Sequence, residues 1–333
     1  MRYRIPHPVV RSALLALACA AAFACSSGGG HHRSDAVTAF AVVGPATPEA
    51  GTQIALARFA ELLDQATPLP VTAAGAKAGV GPGTLVFAIG SSATADALIA
   101  PEETAALPPG GYVLRRGVVG GAPVIAAVGP DDLGTQYGAY AILARLGFGF
   151  FHPEETFVPD GVALPASLDE TWRPSYRVRG MHVHTMHPIE LMDTLLVPSD
   201  DHLAEAKRYI DWLVANRQNY FQWVLQDTID VGAWVPYAAA IVEYAHARGI
   251  EVGIDTPLEF IQQNGFVLAP DPGPFEPQVD ANLALLMPAG WDVVNVELGT
   301  GEAIPADDVR QFDMLNHAAE RVETVYGARL TAK

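Results

Sequence analysis

Three histidines recur in one short run, His182-Val-His184-Thr-Met-His187. On an extended strand His182 and His184 fall on one face, so both imidazoles can enter one pocket. Neutral imidazoles there either hydrogen-bond a polar ligand or bind zinc, iron or nickel. A second set of reactive groups is carboxylic: Asp227, Asp255, Glu259, Glu297 and Glu302 all fall at or just beyond predicted strand ends. A protonated carboxyl beside an ionised one is the usual apparatus of general acid–base chemistry. In the run Asp292–Glu297, period-2 alternation puts Asn295 and Glu297 on one face and Val294 and Val296 on the other. Glu297 is therefore expected at the top of a polar face, with Glu302 in the following loop as the competing choice. Tyr220, Phe221, Trp223, Trp234, Tyr237 and Trp291 cluster in the same half of the chain. Phe221, Trp223 and Leu225 alternate as a buried face does. Trp234 is expected in a loop before Pro236, where its ring could stack on an apolar ligand face.

The elements that must position these groups alternate regularly. Strands are expected at Arg177–His184, Tyr220–Leu225, Glu251–Asp255 and Asp292–Glu297, with helices at about Asp201–Asn216, Pro236–Arg248 and Gln278–Met287 and a last one at Asp307–Tyr326. Single helices between strands imply right-handed crossovers and a parallel sheet. Four such units, 172–333, read as the first half of a (β/α)₈ barrel, in which strand C-termini carry the chemistry. A whole barrel takes about 250 residues, so this part reads as incomplete, with a fifth strand expected to start at Leu330-Thr-Ala-Lys333.

Ahead of it, residues 38–165 read as a mixed α/β domain. Its strands are expected at Ala36–Val43, Thr84–Ile89, Gly111–Arg115 and Pro123–Val128. One helix runs from a Thr47 cap to about Gln65, and another opens at Asp131-Asp132 and is stopped by Gly147. Gly134 and Gly138 share a face of the second helix, implying close packing on a neighbour. A Pro-rich acidic linker is expected from His152 to Pro174. The fold class is thus α/β: an N-terminal mixed α/β domain followed by a partial TIM-type barrel.

Composition narrows the function. The 333 residues are half apolar and 17% charged, with 20 Lys+Arg against 37 Asp+Glu and a net charge of −17. Such an acidic chain repels phosphate backbones, which excludes nucleic acid as a partner. Cys19 and Cys25 are the only two cysteines, so no thiolate metal site or disulfide framework lies downstream. Arg2, Arg4 and Arg11 precede an apolar run, Ser12–Ala24, shorter than the ~20 residues of a membrane span and suited to a signal peptide over 1–24. Ala22-Phe23-Ala24-Cys25 resembles a lipobox, followed by a Ser/Gly tether over 25–37 in which His31 and His32 read as solvated linker. The expectation is an exported lipoprotein, anchored through Cys25 at the outer membrane or cell surface or facing the periplasm. No P-loop, dinucleotide fingerprint or Gly-x-Ser-x-Gly elbow is present.

The order of these elements resembles certain secreted glycosidases. Gly111-Tyr-Val-Leu114, the run Gly129–Leu143 beginning Gly-Pro-Asp-Asp-Leu-Gly, and Leu146-Gly-Phe-Gly-Phe-Phe-His-Pro153 are similar to the α/β domain preceding the barrel of family-20 β-N-acetylhexosaminidases and family-67 α-glucuronidases. Tyr176-Arg-Val-Arg-Gly-Met-His182 resembles their first barrel strand, Asn216-Arg-Gln-Asn-Tyr-Phe-Gln-Trp223 their second, and Tyr244–Val252 the approach to their third. The resemblance implies a carboxylate near the end of the fourth strand that protonates the leaving oxygen. Family-20 enzymes carry an adjacent Asp-Glu pair there. This chain has Glu297-Leu-Gly-Thr-Gly-Glu302 instead, so the acetamido-assisted mechanism and a hexosamine substrate are not carried over.

The expectation is accordingly glycoside hydrolysis without a cofactor, on a carbohydrate substrate. Glu297 and Glu302 would be catalytic, with His182, His184, Asp227, Trp234 and Asp255 in contact with sugar. Two rivals stand beside it. One is a metal-dependent hydrolase centred on His182 and His184, although Met181 stands where such families carry an acidic residue. The other is a carbohydrate-binding lipoprotein without catalysis.

Overall fold

The computed structural model describes residues 37–74, 81–184, 189–259, 264–297 and 308–333. The expected leader, Cys25, His187 and Glu302 lie outside them. Two main sheets organise what is described. The first is six-stranded, built from β1 (Ala39–Val43), β2 (Val71–Ala74), β3 (Thr84–Ile89), β4 (Tyr112–Val119), β5 (Ala122–Val128) and β8 (Asp169–Trp172) in the order β2-β1-β3-β5-β4-β8. Its first four members run parallel, while β4 is antiparallel to both β5 and β8. Helices α1 (Ala50–Gln65), α2 (Ala93–Asp96), α3 (Pro101–Ala105) and α4 (Asp132–Arg145) connect these strands, and a short hairpin of β6 (Gly149–His152) and β7 (Glu155–Phe157) follows.

The second sheet is all parallel: β9 (Gly180–Val183), β10 (Tyr220–Val224), β11 (Glu251–Pro257), β12 (Val293–Glu297) and β13 (Arg329–Ala332), each beside the next. Between them run α5 (Glu190–Leu196), α6 (Asp200–Ala215), α7 (Val231–Ala247), α8 (Glu276–Leu286) and α9 (Asp308–Tyr326). Sequential parallel strands with helical crossovers are the order of a (β/α) barrel. The fifth strand forms where Leu330-Thr-Ala-Lys333 was expected to begin one, in register with β12 through Asn295 and Thr331.

The helix signals of the sequence work with two shifts. The α1 helix starts at Ala50, three residues after Thr47, because its end is capped from outside. The Asp132 carboxylate accepts from the Thr52 amide at 2.8 Å and from the Thr52 hydroxyl at 2.5 Å. Asp131 caps α4 by accepting from the Gly134 amide at 2.7 Å, and Gly147, at φ +107°, ends the turn beyond it. The close approach expected of α4 is present: a Cβ on Gly134 would run into the Gly111 carbonyl oxygen, and one on Gly138 would meet Ala127 at 3.0 Å. The other shift is α7, which begins at Val231 because the Asp230 carboxylate accepts from the Ala233 amide at 3.2 Å. Pro236 therefore lies within the helix rather than at its start. The segment expected as linker holds the last residue of β6 and all of β7 and β8, and β8 stacks Trp172 on Tyr112 with ring centroids 5.4 Å apart.

One core runs from the first sheet through α4, α6 and α7 to the second sheet. Arg248, at the end of α7, is fully buried within it. Its guanidinium donates to the Gly51 carbonyl and the Tyr140 hydroxyl, each at 3.2 Å, and pairs with Asp211 at 3.0 Å. Burial pushes the Asp211 carboxyl up, opposed by Arg248 and by the Tyr244 hydroxyl. Arg248→Met leaves Asp211 without its cation and should destabilise the protein by about 3 kcal/mol. Urea unfolding at neutral pH measures this; a loss below about 1 kcal/mol would show that the pair is dispensable.

Candidate functional site

Strand register decides which side chains meet. His182 pairs with Gln222, Val224 with Asp255, Asp255 with Asn295, Pro257 with Glu297 and Asn295 with Thr331. These alternate positions share one face of the second sheet. The opposite face carries Phe221, Trp223, Val252, Ile254, Val294 and Val296, all completely buried. Apart from Val224 and Pro257, the strands thus turn their apolar residues toward the helices and their polar residues toward the side that a barrel encloses.

At the carboxyl ends of the strands this polar face becomes a charged cluster. Asp255 is fully buried. Its Oδ1 accepts from Asn295 Nδ2 at 2.9 Å, while Oδ2 lies 2.8 Å from His182 Nε2 and 3.1 Å from Lys333 Nζ. Glu297 is also buried, and its Oε1 lies 2.5 Å from His184 Nε2 and 2.9 Å from Lys333 Nζ. Around these, the Thr331 hydroxyl donates to Asn295 Oδ1 at 2.7 Å and fixes that amide's orientation. Gln222 stands 3.3 Å from His182 Nε2 and bonds the Tyr220 hydroxyl on its other side. The two imidazoles sit edge to face with centroids 5.2 Å apart and remain accessible, His182 at 30% and His184 at 41%.

Burial alone pushes the Asp255 carboxyl up. The bonds from His182 and Asn295 and the charge of Lys333 outweigh it and hold the pKa below the ordinary 3.8. Asp255 is therefore an anion across the physiological range. The cluster can transfer protons at its accessible edge, through the His184–Glu297 contact, while Asp255 stays ionised behind it. Side-chain atoms of His184, Asp255 and Glu297 lie within 4.8 Å of one another, a span that a divalent ion could bridge. The place of a cation between the two carboxylates is filled by the Lys333 ammonium.

Of the residues expected from sequence, His182, His184, Asp255 and Glu297 converge. Asp255 departs from its expected role, because a carboxylate with no accessible surface cannot touch a ligand and acts through His182 and Lys333. Asp227 is exposed in the loop after β10, where its amide donates to the Asn264 carbonyl; no described contact joins it to the cluster. Glu259 is engaged elsewhere, at 2.9 Å from Arg310 Nε and 2.8 Å from Gln311 Nε2. Trp234 is corrected outright. It lies in α7 at 1% exposure, donates its indole N–H to the Leu195 carbonyl at 2.9 Å and stacks on Trp291. A ring so enclosed cannot stack on a ligand. Lys333 and Thr331 were missed, although Arg329, Thr331 and Lys333 carry the period-2 polar pattern that marks an inward strand face.

Searched against protein-family models the sequence matches none, and no curated protein matches it. Solved structures do. The chain is similar to a β-hexosaminidase of Streptomyces plicatus at 14% identity and TM-score 0.54, over 87% of this chain and 60% of that one. It is similar to a family GH20 exo-β-N-acetylglucosaminidase of Vibrio harveyi at 14% identity and TM-score 0.50, over 89% and 51%. A family GH115 4-O-methyl-α-glucuronidase with specificity for decorated arabinogalactans matches at 17% identity and TM-score 0.52, over 89% and 35%. The chain therefore spans less than two thirds of each of these proteins, and the likeness is one of fold: a glycoside-hydrolase-type arrangement of mixed α/β layer and barrel strands.

Because the Asp255 pKa is lowered on folding, its contribution to stability is present above about pH 4 and lost as pH falls through its folded value. Asp255→Asn should remove part of the decline in urea midpoint between about pH 6 and pH 3. Parallel curves for the two proteins would contradict this account of the cluster.

Proposed function

We propose that the chain is a glycoside hydrolase whose Glu297 exchanges a proton with the glycosidic oxygen. The observation that carries this reading is the position of Glu297. It closes the fourth parallel strand of a glycosidase-type fold, buried, with one oxygen held by His184 and Lys333. No described group bonds its second oxygen, Oε2. Strand C-termini are where barrels of this class carry catalysis. His182 and His184 are the accessible donors beside it, suited to sugar hydroxyls. Glu302, five residues further in the chain, remains the candidate for the second carboxyl that glycoside cleavage requires.

The experiment is a screen of the purified protein on aryl glycosides and on plant and bacterial polysaccharides, with released reducing ends as readout. Glu297→Gln should lower turnover about a thousandfold while sugar affinity persists. Retained turnover would move the catalytic role elsewhere. Elemental analysis of the same preparation separates the metal-dependent rival, since stoichiometric zinc or nickel would displace the acid–base account. Sugar binding without turnover in every assay would favour the non-catalytic lipoprotein.

Export and anchoring belong to the same proposal. They rest on the charged and apolar leader and on Ala22-Phe23-Ala24-Cys25. In a bacterial host the full chain should partition with membranes and carry a mass increment of a diacylglyceryl group and an acyl chain on Cys25. Cys25→Ser should release it to the soluble fraction, and an unmodified Cys25 in the parent would end the lipoprotein reading.

A further inference from the structure

We infer that Lys333 is a positioning residue of this site: its ammonium bridges Asp255 and Glu297 and supplies the positive charge that the two imidazoles would otherwise have to provide. The inference rests on the hydrolytic reading for its purpose, but its geometry stands apart from any substrate.

Lys333 lies within hydrogen-bonding distance of both carboxylates, at 3.1 Å from Asp255 Oδ2 and 2.9 Å from Glu297 Oε1, whereas His184 bonds Glu297 at 2.5 Å and stands 3.9 Å from Asp255. The two acids do not share it symmetrically. Both oxygens of Asp255 face donors, Asn295 on one and His182 with Lys333 on the other, so all three favour its ionised form. Among the described residues, donors reach Glu297 on Oε1 alone. Among the described residues, the other charged and titratable groups facing the pair are His182 of β9 and His184 just beyond it; β10 contributes the neutral Gln222 and the Tyr220 hydroxyl behind it. Without Lys333, two buried carboxylates would stand on adjacent strands with only imidazoles to balance them, and like charges so placed compete for a proton. With it, a positive charge stands beside both acids. The lysine backbone is placed for this task, since the Lys333 amide donates to the Val296 carbonyl at 3.1 Å and holds the residue beside the end of β12.

The test uses the whole protein and needs no substrate. The ring protons of His182 and His184 are titrated by NMR in the parent, in Lys333→Met and in Lys333→Arg, with single His→Gln variants for assignment. Removing a positive charge favours the imidazolium form, so Lys333→Met should raise both midpoints by about half to one pH unit, while Lys333→Arg should leave them near the parent values. Superimposable curves for parent and Lys333→Met would overturn the inference. If Lys333→Met does not fold, the side-chain ¹⁵Nζ signal of Lys333 in the parent decides. The chain has three lysines, Lys77, Lys207 and Lys333, so assignment by Lys333→Arg is direct. A signal that survives water exchange at neutral pH and disappears in Asp255→Asn upholds the ion pairs, and its absence from the parent refutes them. Where turnover is found, the acidic limb of the pH–rate profile should move upward in Lys333→Met and return in Lys333→Arg. An inactive parent would count against the hydrolase reading alone, because the NMR result stands without it.

Discussion

Two carboxylates on neighbouring parallel strands, one fully enclosed and the other nearly so, impose the strictest demand on this molecule. An ion moved from water into a protein interior loses solvation worth several kcal/mol even after relaxation. Asp255 and Glu297 recover it only because donors arrive from three other directions: His182 and His184 from β9, Asn295 from within β12, and Lys333 from β13. Each donor sits at an even register step from the acid it serves, so a one-residue slip of any strand would turn its donor to the apolar face. Register across five strands and electrostatic neutrality at their ends are therefore the same constraint. It also explains why β13 matters out of proportion to its four residues.

The first sheet contributes by holding the opposite ends of these strands. Arg179, just before β9, donates from its amide to Asn219 Oδ1 at 2.7 Å and from its side chain to the Arg217 carbonyl at 2.8 Å. Its guanidinium lies over the rings of Tyr137 and Trp172, 5.7 Å from each centroid. The Tyr137 hydroxyl in turn bonds the Gln218 carbonyl at 2.6 Å. Arg217 adopts a left-handed φ of +60° in this turn, a conformation costly for a residue with a Cβ, and its side chain packs over Trp172. These contacts clamp the turn before β10 to α4 and β8. From there a strand advances about 3.3 Å per residue, so the clamp lies four or five residues below the charged cluster. The geometry at the top is set by strands anchored at the bottom.

Much of this was legible in the sequence, and the parts that were not have physical reasons. Alternation in Asp292–Glu297 placed Asn295 and Glu297 on one face because both faces of that strand are buried and chemically opposite. His182 and His184 were paired correctly by the same rule. Trp234 was misassigned because Pro236 reads as a helix start, whereas Asp230 caps the helix earlier and tolerates a proline in its second turn. Thr47 was passed over as a cap because the cap of α1 comes from Asp132, eighty residues away, and no local pattern announces it. The acidic stretch read as linker contains β8 because its pairing partner, β4, lies more than fifty residues upstream. Local rules recover what is set by alternation and fail where a distant side chain or strand supplies the missing half.

The division between Asp255 and Glu297 follows from burial and donor count rather than from residue type. The longer side chain ends the strand, where one oxygen stays clear of described donors; the shorter one lies two register steps below and is enclosed. Moving either acid by a single position would reverse its face, and exchanging them would put the saturated carboxylate at the accessible edge. The strand end leaves one oxygen of Glu297 without a described donor, as the proposed proton exchange requires. Asp255 is then the electrostatic floor on which the two imidazoles and the lysine are arranged, and the chemistry available to Glu297 depends on that floor remaining ionised.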